Sequence, residues 1–337
     1  MVAIAVPIRI CCGIAVWERN NVIESLPAKN CWFLTGATAV GKTRIGLAMA
    51  RRLHAEIISL DSMAIYQGMD IGTAKPTSDQ QAEIPHHLID IVPPDQEFSV
   101  ACYLEAAHAK IEEIRRRGNE VLFVGGTPLY LKGLLRGLTP GPPANWKLRE
   151  EIEAEVAKHG PQGLYRRLEQ LDPVAASQIH PHDTRRLIRA VEVFRITGVP
   201  ISHSQMQFEE EIPAEDCRVF ALRRSREVQY ERINERVDQM LERGLVEEVR
   251  SLIADIEELS RTARQAVGYQ EVLEYLEHGD HEIMTAKIKT RTRRFAKRQE
   301  TWFRSLSECR YFDLEDDCQV DDIVEQILES GENIQRE

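Results

Sequence analysis

An eight-residue run near the start of the chain has the composition needed to bind phosphate. It fits the pattern G-x-x-x-x-G-K-[ST] at every position and comprises Gly36, Ala37, Thr38, Ala39, Val40, Gly41, Lys42 and Thr43. Glycines in such a loop let backbone N–H groups turn towards oxyanions, Lys42 adds a positive charge, and the hydroxyl of Thr43 can bind Mg²⁺. The sequence therefore predicts a site for a di- or triphosphate, with Mg²⁺ as cofactor and Thr43 as its protein ligand.

The residues on either side of this loop have the patterns of a strand and a helix. The apolar run Cys31–Leu34 is typical of a buried strand, and Ile45, Met49 and Leu53 recur every four positions on one face of a helix over 44–53. Further strand-like segments give the set 31–35, 56–60, 88–92, 120–124, 218–223 and 309–313. Helical patterns separate the first four, as in right-handed βαβ units. We expect an α/β fold with a P-loop NTPase-like parallel sheet flanked by helices.

The pattern changes in the middle of the chain. A Pro/Gly-rich linker at 139–143 opens a stretch with helical patterns only, in which Asp172 and Asp183 are candidate helix caps and Gly198 is a candidate helix end. We interpret this stretch as an all-helical insertion domain. The predicted organisation is a poorly ordered extension at 1–29, an α/β core at 30–138 and 214–313, the helical insertion at 139–213 and an acidic tail at 314–337.

Two polar side chains follow strands of the predicted sheet. Asp61 comes directly after 56–60, and Thr127 comes after the strand 120–124 and two glycines. The carboxyl ends of parallel strands line the ligand crevice, so both are expected beside the phosphate loop. The alternative roles for Asp61 are a helix N-cap or a water-mediated metal partner. No aspartate follows 120–124 and no guanine-reading N-K-x-D string occurs, which argues against the commonest nucleotide hydrolases and kinases.

The net charge of −11 hides an uneven distribution. Nine Lys and Arg residues lie between Lys287 and Arg310, whereas the segment 313–337 contains ten acidic residues and one base. Two further arginine groups are Arg185, Arg186 and Arg189 on a predicted helix, and Arg261 and Arg264 in a predicted loop. A basic run can be merely a solvated helix face, but the three groups together favour a polyanionic partner larger than a nucleotide.

Cysteine usage and hydropathy indicate the compartment. The seven cysteines form no C-x-x-C pair and no zinc-spaced cluster, which is typical of reduced, cytoplasmic proteins. No apolar stretch is long enough to span a bilayer. We expect a cytoplasmic monomer that does not bind membranes. The adjacent pair His86-His87 could suggest a metal site, but neighbouring side chains in a strand face opposite ways, so a structural or an RNA-surface role is favoured.

Several segments together resemble the tRNA dimethylallyltransferases, also called tRNA isopentenyltransferases. They lie between residues 36 and 303, about four-fifths of the chain, and comprise 36–43, Asp61-Ser62-Met63, 66–76, Pro85-His86-His87-Leu88, Gly125–Tyr130, 232–240, Gln265–Tyr269, Lys297-Arg298-Gln299 and Thr301-Trp302-Phe303. The chain departs from the family at Ala37, where the family usually has proline. That position supplies neither the lysine nor the hydroxyl, so we expect altered affinity and retained chemistry.

The resemblance implies transfer of the dimethylallyl group of dimethylallyl diphosphate to N6 of an adenosine beside the tRNA anticodon. Asp61 would accept the proton of the amine, Thr127 would orient the base or the diphosphate, and Arg236 with the phosphate loop would stabilise the departing pyrophosphate. The residues expected to contact the anticodon arm of tRNA are Asp61, Ser62, Met63, Ala64, Thr127, Arg149, Arg185, Arg186, Leu187, Ile188, Arg189, Gln265, Ala266, Val267, Gly268, Tyr269 and Gln270.

Two alternative functions remain open at this point. One is a free-nucleotide enzyme on the same scaffold, either an adenylate prenyltransferase or a small-molecule kinase that binds ATP. The other is a non-catalytic RNA-binding protein whose phosphate loop acts as a nucleotide switch. The first does not need the insertion or the basic segment, and the second gives Asp61 no role.

Overall fold

The computed structural model describes residues 27–139, 141–205, 212–315 and 318–335. Within these residues the chain divides into two compact units. The larger unit contains Ala28–Leu135 and the described residues from 212 onwards, and the smaller unit contains the described residues from Arg136 to 205. The extension predicted at 1–29 lies mostly outside the described residues.

The larger unit is built on a parallel sheet. Its strands are β1 (Trp32–Gly36), β2 (Ala55–Leu60), β3 (His86–His87), β4 (Glu120–Gly125), β5 (Val219–Arg223) and β6 (Arg310–Asp313). They lie in the order β3-β2-β4-β1-β5-β6, and every neighbouring pair is parallel. The predicted α/β class is therefore confirmed.

The strand predicted at 88–92 is wrong. Strand β3 ends at His87, and beyond it Val92 forms only an isolated bridge with Tyr66. The reason is the backbone: Leu88 and Asp90 have φ values of 59° and 56°, in the left-handed region that an extended strand excludes. The apolar composition of this segment reflects burial of Leu88 and Val92 and does not reflect strand pairing.

Helices cover the sheet and form the smaller unit. In chain order they are α1 (Lys42–Leu53), α2 (Ser78–Glu83), α3 (Val100–Arg116), α4 (Pro128–Arg136), α5 (Trp146–His159), α6 (Pro161–Leu171), α7 (Pro173–Gln178), α8 (Thr184–Thr197), α9 (Ile201–Gln205), α10 (Arg226–Glu242), α11 (Leu245–Asp255), α12 (Arg261–Arg264), α13 (Tyr269–His278), α14 (His281–Arg304) and α15 (Val320–Glu332).

Two hydrophobic clusters stabilise the larger unit. The first joins β1 and α1 to α15, a helix in the acidic C-terminal segment whose Val324 and Ile327 are fully buried. The second surrounds Tyr66 and Tyr269 with apolar residues of α10, α11 and α14. Burying one large aliphatic or aromatic side chain contributes roughly 1.5–3 kcal/mol, so both clusters are substantial.

The smaller unit consists of α5–α9 around its own core, which includes Ile152 and Leu168. Its helix boundaries follow the predicted caps. Asp172 accepts a hydrogen bond from the N–H of Ala175 at 3.0 Å, Asp183 accepts one from Arg186 at 3.3 Å, and Gly198 ends α8 with φ 71°.

The adjacent histidines have structural contacts. The Nδ1 of His86 lies 2.7 Å from the carbonyl of Ile84, and the Nε2 of His87 lies 2.6 Å from the buried carboxylate of Glu56. Arg117 also donates to Glu56, through two nitrogens at 2.7 Å each. Both histidines therefore make contacts within the fold, which are consistent with a structural role.

Candidate active site

The phosphate loop begins where β1 ends, at a residue that must be glycine. Gly36 has φ 131°, and a Cβ atom there would lie 2.4 Å from the carbonyl oxygen of Leu222 on β5. Any side chain would therefore push the loop away from the sheet. The other end of the loop is Gly41, which caps α1 in the left-handed conformation.

Three consecutive carbonyl groups of the loop are held by donors from the segment 224–232. Gln229 Nε2 donates to the oxygen of Thr38 at 3.0 Å, Arg232 Nε to that of Ala39 at 3.0 Å, and Arg224 Nε to that of Val40 at 3.1 Å. In a trans peptide the C=O and the following N–H point in opposite directions. The amides of residues 39–41 consequently face away from these donors, which is the arrangement of an anion-binding nest.

Lys42 is folded onto the loop that carries it. Its ammonium group donates to the carbonyl oxygens of Gly36 at 2.9 Å and of Ala37 at 2.8 Å. Burial, followed by repulsion from the Arg236 guanidinium, lowers the pKa of Lys42 to about 7, while Asp61 acts in the opposite direction. Lys42, Arg236 and Asp61 are therefore close enough to influence one another electrostatically, as the sequence-based hypothesis requires.

Asp61 and Thr127 lie side by side at the carboxyl ends of β2 and β4. The strand register pairs Leu60 with Gly125, the N–H of Thr127 donates to the oxygen of Leu60 at 3.1 Å, and the N–H of Ser62 donates to Thr127 Oγ1 at 3.1 Å. The two side chains therefore adjoin as predicted. The acceptor capacity of the Thr127 hydroxyl is partly used by Ser62, and its own proton can still be donated.

The carboxylate of Asp61 also organises the turn that follows it. Its Oδ1 accepts from the N–H of Met63 at 2.8 Å and from that of Ala64 at 3.4 Å. The helix-cap alternative is wrong, because residues 62–65 form a turn and the next helix begins only at Ser78; these hydrogen bonds stabilise that turn. Because both contacts use Oδ1, Oδ2 makes no hydrogen bond to the described residues and can accept a proton.

Arg236 extends from α10 towards the same site. Burial lowers the pKa of its guanidinium, the negative charge of Asp61 opposes that shift, and Arg232 reinforces it. Arg236 therefore stays cationic, because an arginine remains protonated under nearly all conditions. A partly buried cation beside a lysine is suited to bind a strongly charged anion.

One residue of the site was not anticipated. Gln299 on α14 is buried and bridges two backbone segments: its Oε1 accepts from the N–H of Thr38 at 2.9 Å, and its Nε2 donates to the oxygen of Gly126 at 2.6 Å. In the sequence, Gln299 stands out only as part of the run Lys297-Arg298-Gln299, which resembles the family. A glutamine 261 positions from the loop gives no local signal of this contact.

The predicted RNA-contacting segments 61–64 and 265–270 pack onto the same hydrophobic cluster. Met63, Ala266 and Tyr269 belong to it, and the hydroxyl of Tyr269 donates to Glu248. Glu248 also accepts from the backbone N–H groups of residues 70–72, at 2.7–3.3 Å. Ala64, Ala266 and Tyr269 are buried, so they cannot contact RNA through their side chains. Gln265 is exposed, and the partly exposed side chains of these segments are Asp61, Ser62, Met63, Val267 and Gln270.

In the smaller unit, the predicted RNA-binding arginines fall into two groups. Arg149 and Arg189 both donate to Glu192, a carboxylate with no exposed surface, at 2.7–2.9 Å. Arg185 and Arg186 are exposed. Between them and Arg189, the side chains of Leu187 and Ile188 lie in the core of this unit and do not face outwards.

Three cations of the basic segment on α14 are paired with acids of neighbouring helices. Lys287 contacts Glu274, Lys289 contacts Asp238 at 2.6 Å, and Arg291 contacts Glu271. The exposed cations of this helix include Arg294, Lys297 and Arg298. The charge available to a polyanion is therefore smaller than the sequence suggested.

Oxygen donors for a hard cation are few in the protein itself. Thr43, the predicted metal ligand, is exposed in the first turn of α1. Within the described ranges, no group of three or more His, Cys, Asp or Glu side chains could hold a metal. Mg²⁺ is commonly held by one or two protein groups with substrate phosphates and water, and Thr43 fits that pattern.

Fold and site together define a class: a P-loop α/β protein with a carboxylate and a hydroxyl beside the loop. The sequence model of one family, described as IPP transferase, matches residues 64–306. A tRNA dimethylallyltransferase of Rhodopirellula baltica is 48% identical over 309 residues, covering 88% of this chain and 92% of that protein. The chain belongs to the tRNA dimethylallyltransferase family.

Solved structures of proteins in this family are also similar to this chain. The full-length tRNA isopentenylpyrophosphate transferase of Bacillus halodurans is 38% identical, with a TM-score of 0.65 over 91% of this chain and 99% of that one. A eukaryotic dimethylallyltransferase acting on tRNA has a TM-score of 0.70 at 27% identity, covering 88% of this chain and 76% of that one. No helix among the described residues is long and apolar enough to cross a membrane.

Proposed function

We propose that this protein transfers the dimethylallyl group of dimethylallyl diphosphate to N6 of the adenosine adjacent to the tRNA anticodon. The observation that carries the proposal is the register of β2 with β4, which places Asp61 and Thr127 together at the sheet end where the phosphate loop begins. A carboxylate beside a diphosphate site suits transfer of carbon to an amine.

The reaction exchanges one bond for another. The N6 nitrogen of adenine attacks the allylic carbon, the C–O bond to the diphosphate breaks, and pyrophosphate leaves with the bonding electrons. The nitrogen then loses a proton, which the Oδ2 atom of Asp61 accepts. A positioned base of this kind contributes on the order of 10²–10⁴-fold to the rate.

The phosphate loop stabilises the leaving group. Negative charge grows on the diphosphate as the C–O bond breaks, and the amides of residues 39–41 together with the cations Lys42 and Arg236 would stabilise that charge. Thr43 would hold Mg²⁺ together with diphosphate oxygens, and the cation would further neutralise the pyrophosphate when bound.

The exposed Arg185 and Arg186 are proposed to contact phosphates of the anticodon arm. Arg149 and Arg189 would instead keep α5 and α8 in place through the buried Glu192. The target base must leave the stacked loop to reach a site on the sheet, and unpaired loop bases make this step inexpensive.

A transfer assay tests the proposal. The purified protein is incubated with Mg²⁺, labelled dimethylallyl diphosphate and unmodified tRNA, and parallel reactions contain AMP or labelled ATP. We expect label on tRNA and none on AMP. Label on AMP alone would favour an adenylate prenyltransferase, ATP turnover a kinase, and tight ATP binding without product a nucleotide switch. Each of these results would contradict the proposed function.

A further inference from the structure

Gln299 is the buried polar side chain that joins the phosphate loop to the opposite wall of the site. Its amide group makes two short contacts, one to the N–H of Thr38 at 2.9 Å and one to the oxygen of Gly126 at 2.6 Å. The first partner is in the phosphate loop, and the second directly precedes Thr127. A side chain with one acceptor and one donor is required to make both bonds.

Both backbone polar groups of Thr38 form hydrogen bonds with glutamine side chains. Gln299 accepts from its N–H, and Gln229 donates to its carbonyl oxygen at 3.0 Å. Thr38 therefore cannot rotate its peptide groups without losing a buried hydrogen bond. Because its N–H is directed at Gln299, the amide of Thr38 is unavailable to an anion, and the amides of residues 39–41 are the ones presented to it.

The space around Gln299 is closely packed. A Cβ atom at Gly126 would lie 2.7 Å from Gln299 Nε2 and 3.5 Å from Lys42 Nζ, so these groups share one small region. Gln299 is 5% exposed. The amide group of Gln299 therefore contacts both the phosphate loop and the residue after β4, and it lies near the ammonium group of Lys42.

From this geometry we infer that Gln299 is a positioning residue that fixes the phosphate loop against the end of β4 and thereby sets the affinity for the prenyl diphosphate. The inference rests on the proposed function, because it assigns the loop to dimethylallyl diphosphate. The loop binds the diphosphate before the reaction as well as during it. Loss of the bridge should therefore raise KM for the diphosphate much more than it lowers kcat.

Two substitutions test the role. Gln299→Met keeps the side-chain length and removes both hydrogen bonds, and Gln299→Glu keeps the acceptor for Thr38 but loses the donor to Gly126. With saturating tRNA, we expect each to raise KM for dimethylallyl diphosphate about tenfold or more, with kcat within about threefold and unchanged tRNA affinity. The matched control is Gln326→Met, at an exposed glutamine of α15; it should leave both constants unchanged.

The outcomes separate the two claims. If the wild-type protein transfers no label to tRNA, the proposed function fails. If it transfers normally while both Gln299 variants keep a wild-type KM, or lose kcat alone, the positioning role is overturned and the proposed function stands. Thermal melts accompany the kinetics; should the Met variant unfold, the nearly isosteric Glu variant carries the test, together with its calorimetric Kd for dimethylallyl diphosphate.

Discussion

At the scale of single residues, Lys42 makes the site sensitive to pH. In the free protein, burial and the nearby Arg236 lower the pKa of Lys42 to about 7. A bound diphosphate would raise this pKa, because it adds negative charge beside the ammonium group. Below about pH 7 the lysine is already charged in the free protein, whereas above about pH 7 it must take up a proton when the diphosphate binds. Affinity for dimethylallyl diphosphate should therefore fall by up to about tenfold per pH unit above about pH 7.

Calorimetric titration in buffers of different ionisation enthalpy measures this proton uptake directly. The control is Lys42→Met, which binds more weakly and should lose the lysine-dependent part of the pH effect. Equal dissociation constants for the wild-type protein at about pH 7 and about pH 9, or identical proton uptake in the variant, would show that Lys42 does not titrate on binding.

The residues that sequence reasoning placed correctly are those in continuous motifs or at strand ends. Asp61 and Thr127 follow strands, so a rule about parallel sheets brings them together. Gln299, Arg224 and Gln229 act on the loop from distant segments, and only the packing of the helices decides that their side chains reach it. Their roles therefore could not be read from local sequence.

At the scale of elements, α15 shows that the acidic C-terminal segment contributes to the core. Its Val324 and Ile327 are fully buried in the cluster that contains β1 and α1, while Asp321 and Asp322 in its first turn remain exposed. We expect Ile327→Ala to lower the free energy of unfolding by about 2–4 kcal/mol, because it removes buried methyl groups and leaves a cavity.

Chemical denaturation of this variant and of Gln326→Ala, an exposed neighbour on the same helix, measures the effect. The control should change the free energy of unfolding by less than about 0.5 kcal/mol. If both variants are as stable as the wild-type protein, α15 is not part of the cooperative core.

Element boundaries illustrate what a periodic pattern can and cannot determine. The sequence predicts the helix starts in the smaller unit because caps such as Asp172 and Asp183 form hydrogen bonds to residues only three positions away. The apolar segment 88–92 was assigned to a strand because its composition resembles one. Its conformation instead depends on Leu88 and Asp90, which adopt left-handed backbone conformations. Neither residue is glycine, so the sequence does not indicate these conformations.

At the scale of the whole molecule, charge distribution must reconcile an acidic protein with a polyanionic substrate. The net charge is −11, and three of the cations on α14 are paired with acids of α10 and α13. The candidates for phosphate contact are the exposed cations Arg185 and Arg186, of which Arg186 pairs with Asp183 at 3.2 Å, and Arg294, Lys297 and Arg298 on α14. We expect tRNA affinity to fall more than about tenfold between about 0.05 and 0.2 M salt, since each phosphate contact releases a counterion.

The slope of log Kd against log salt concentration measures the number of such contacts. Replacing Arg185 and Arg186 by alanine should reduce the slope by roughly two. The control is Arg52→Ala, an exposed arginine in the last turn of α1, at the end of that helix opposite the phosphate loop. A slope near zero for the wild-type protein, or one that the double variant leaves unchanged, would rule out these arginines as RNA contacts.

The most direct test of the central claim is the single-turnover rate of prenyl transfer in Asp61→Asn. Asparagine keeps an oxygen for the N–H groups of Met63 and Ala64, so the turn should persist while the proton acceptor is lost. We predict a rate lower by about 10²–10⁴-fold with unchanged tRNA affinity, and wild-type kinetics for Asp79→Asn, an exposed matched control. A near-normal rate in Asp61→Asn would contradict the assignment of this carboxylate as the base.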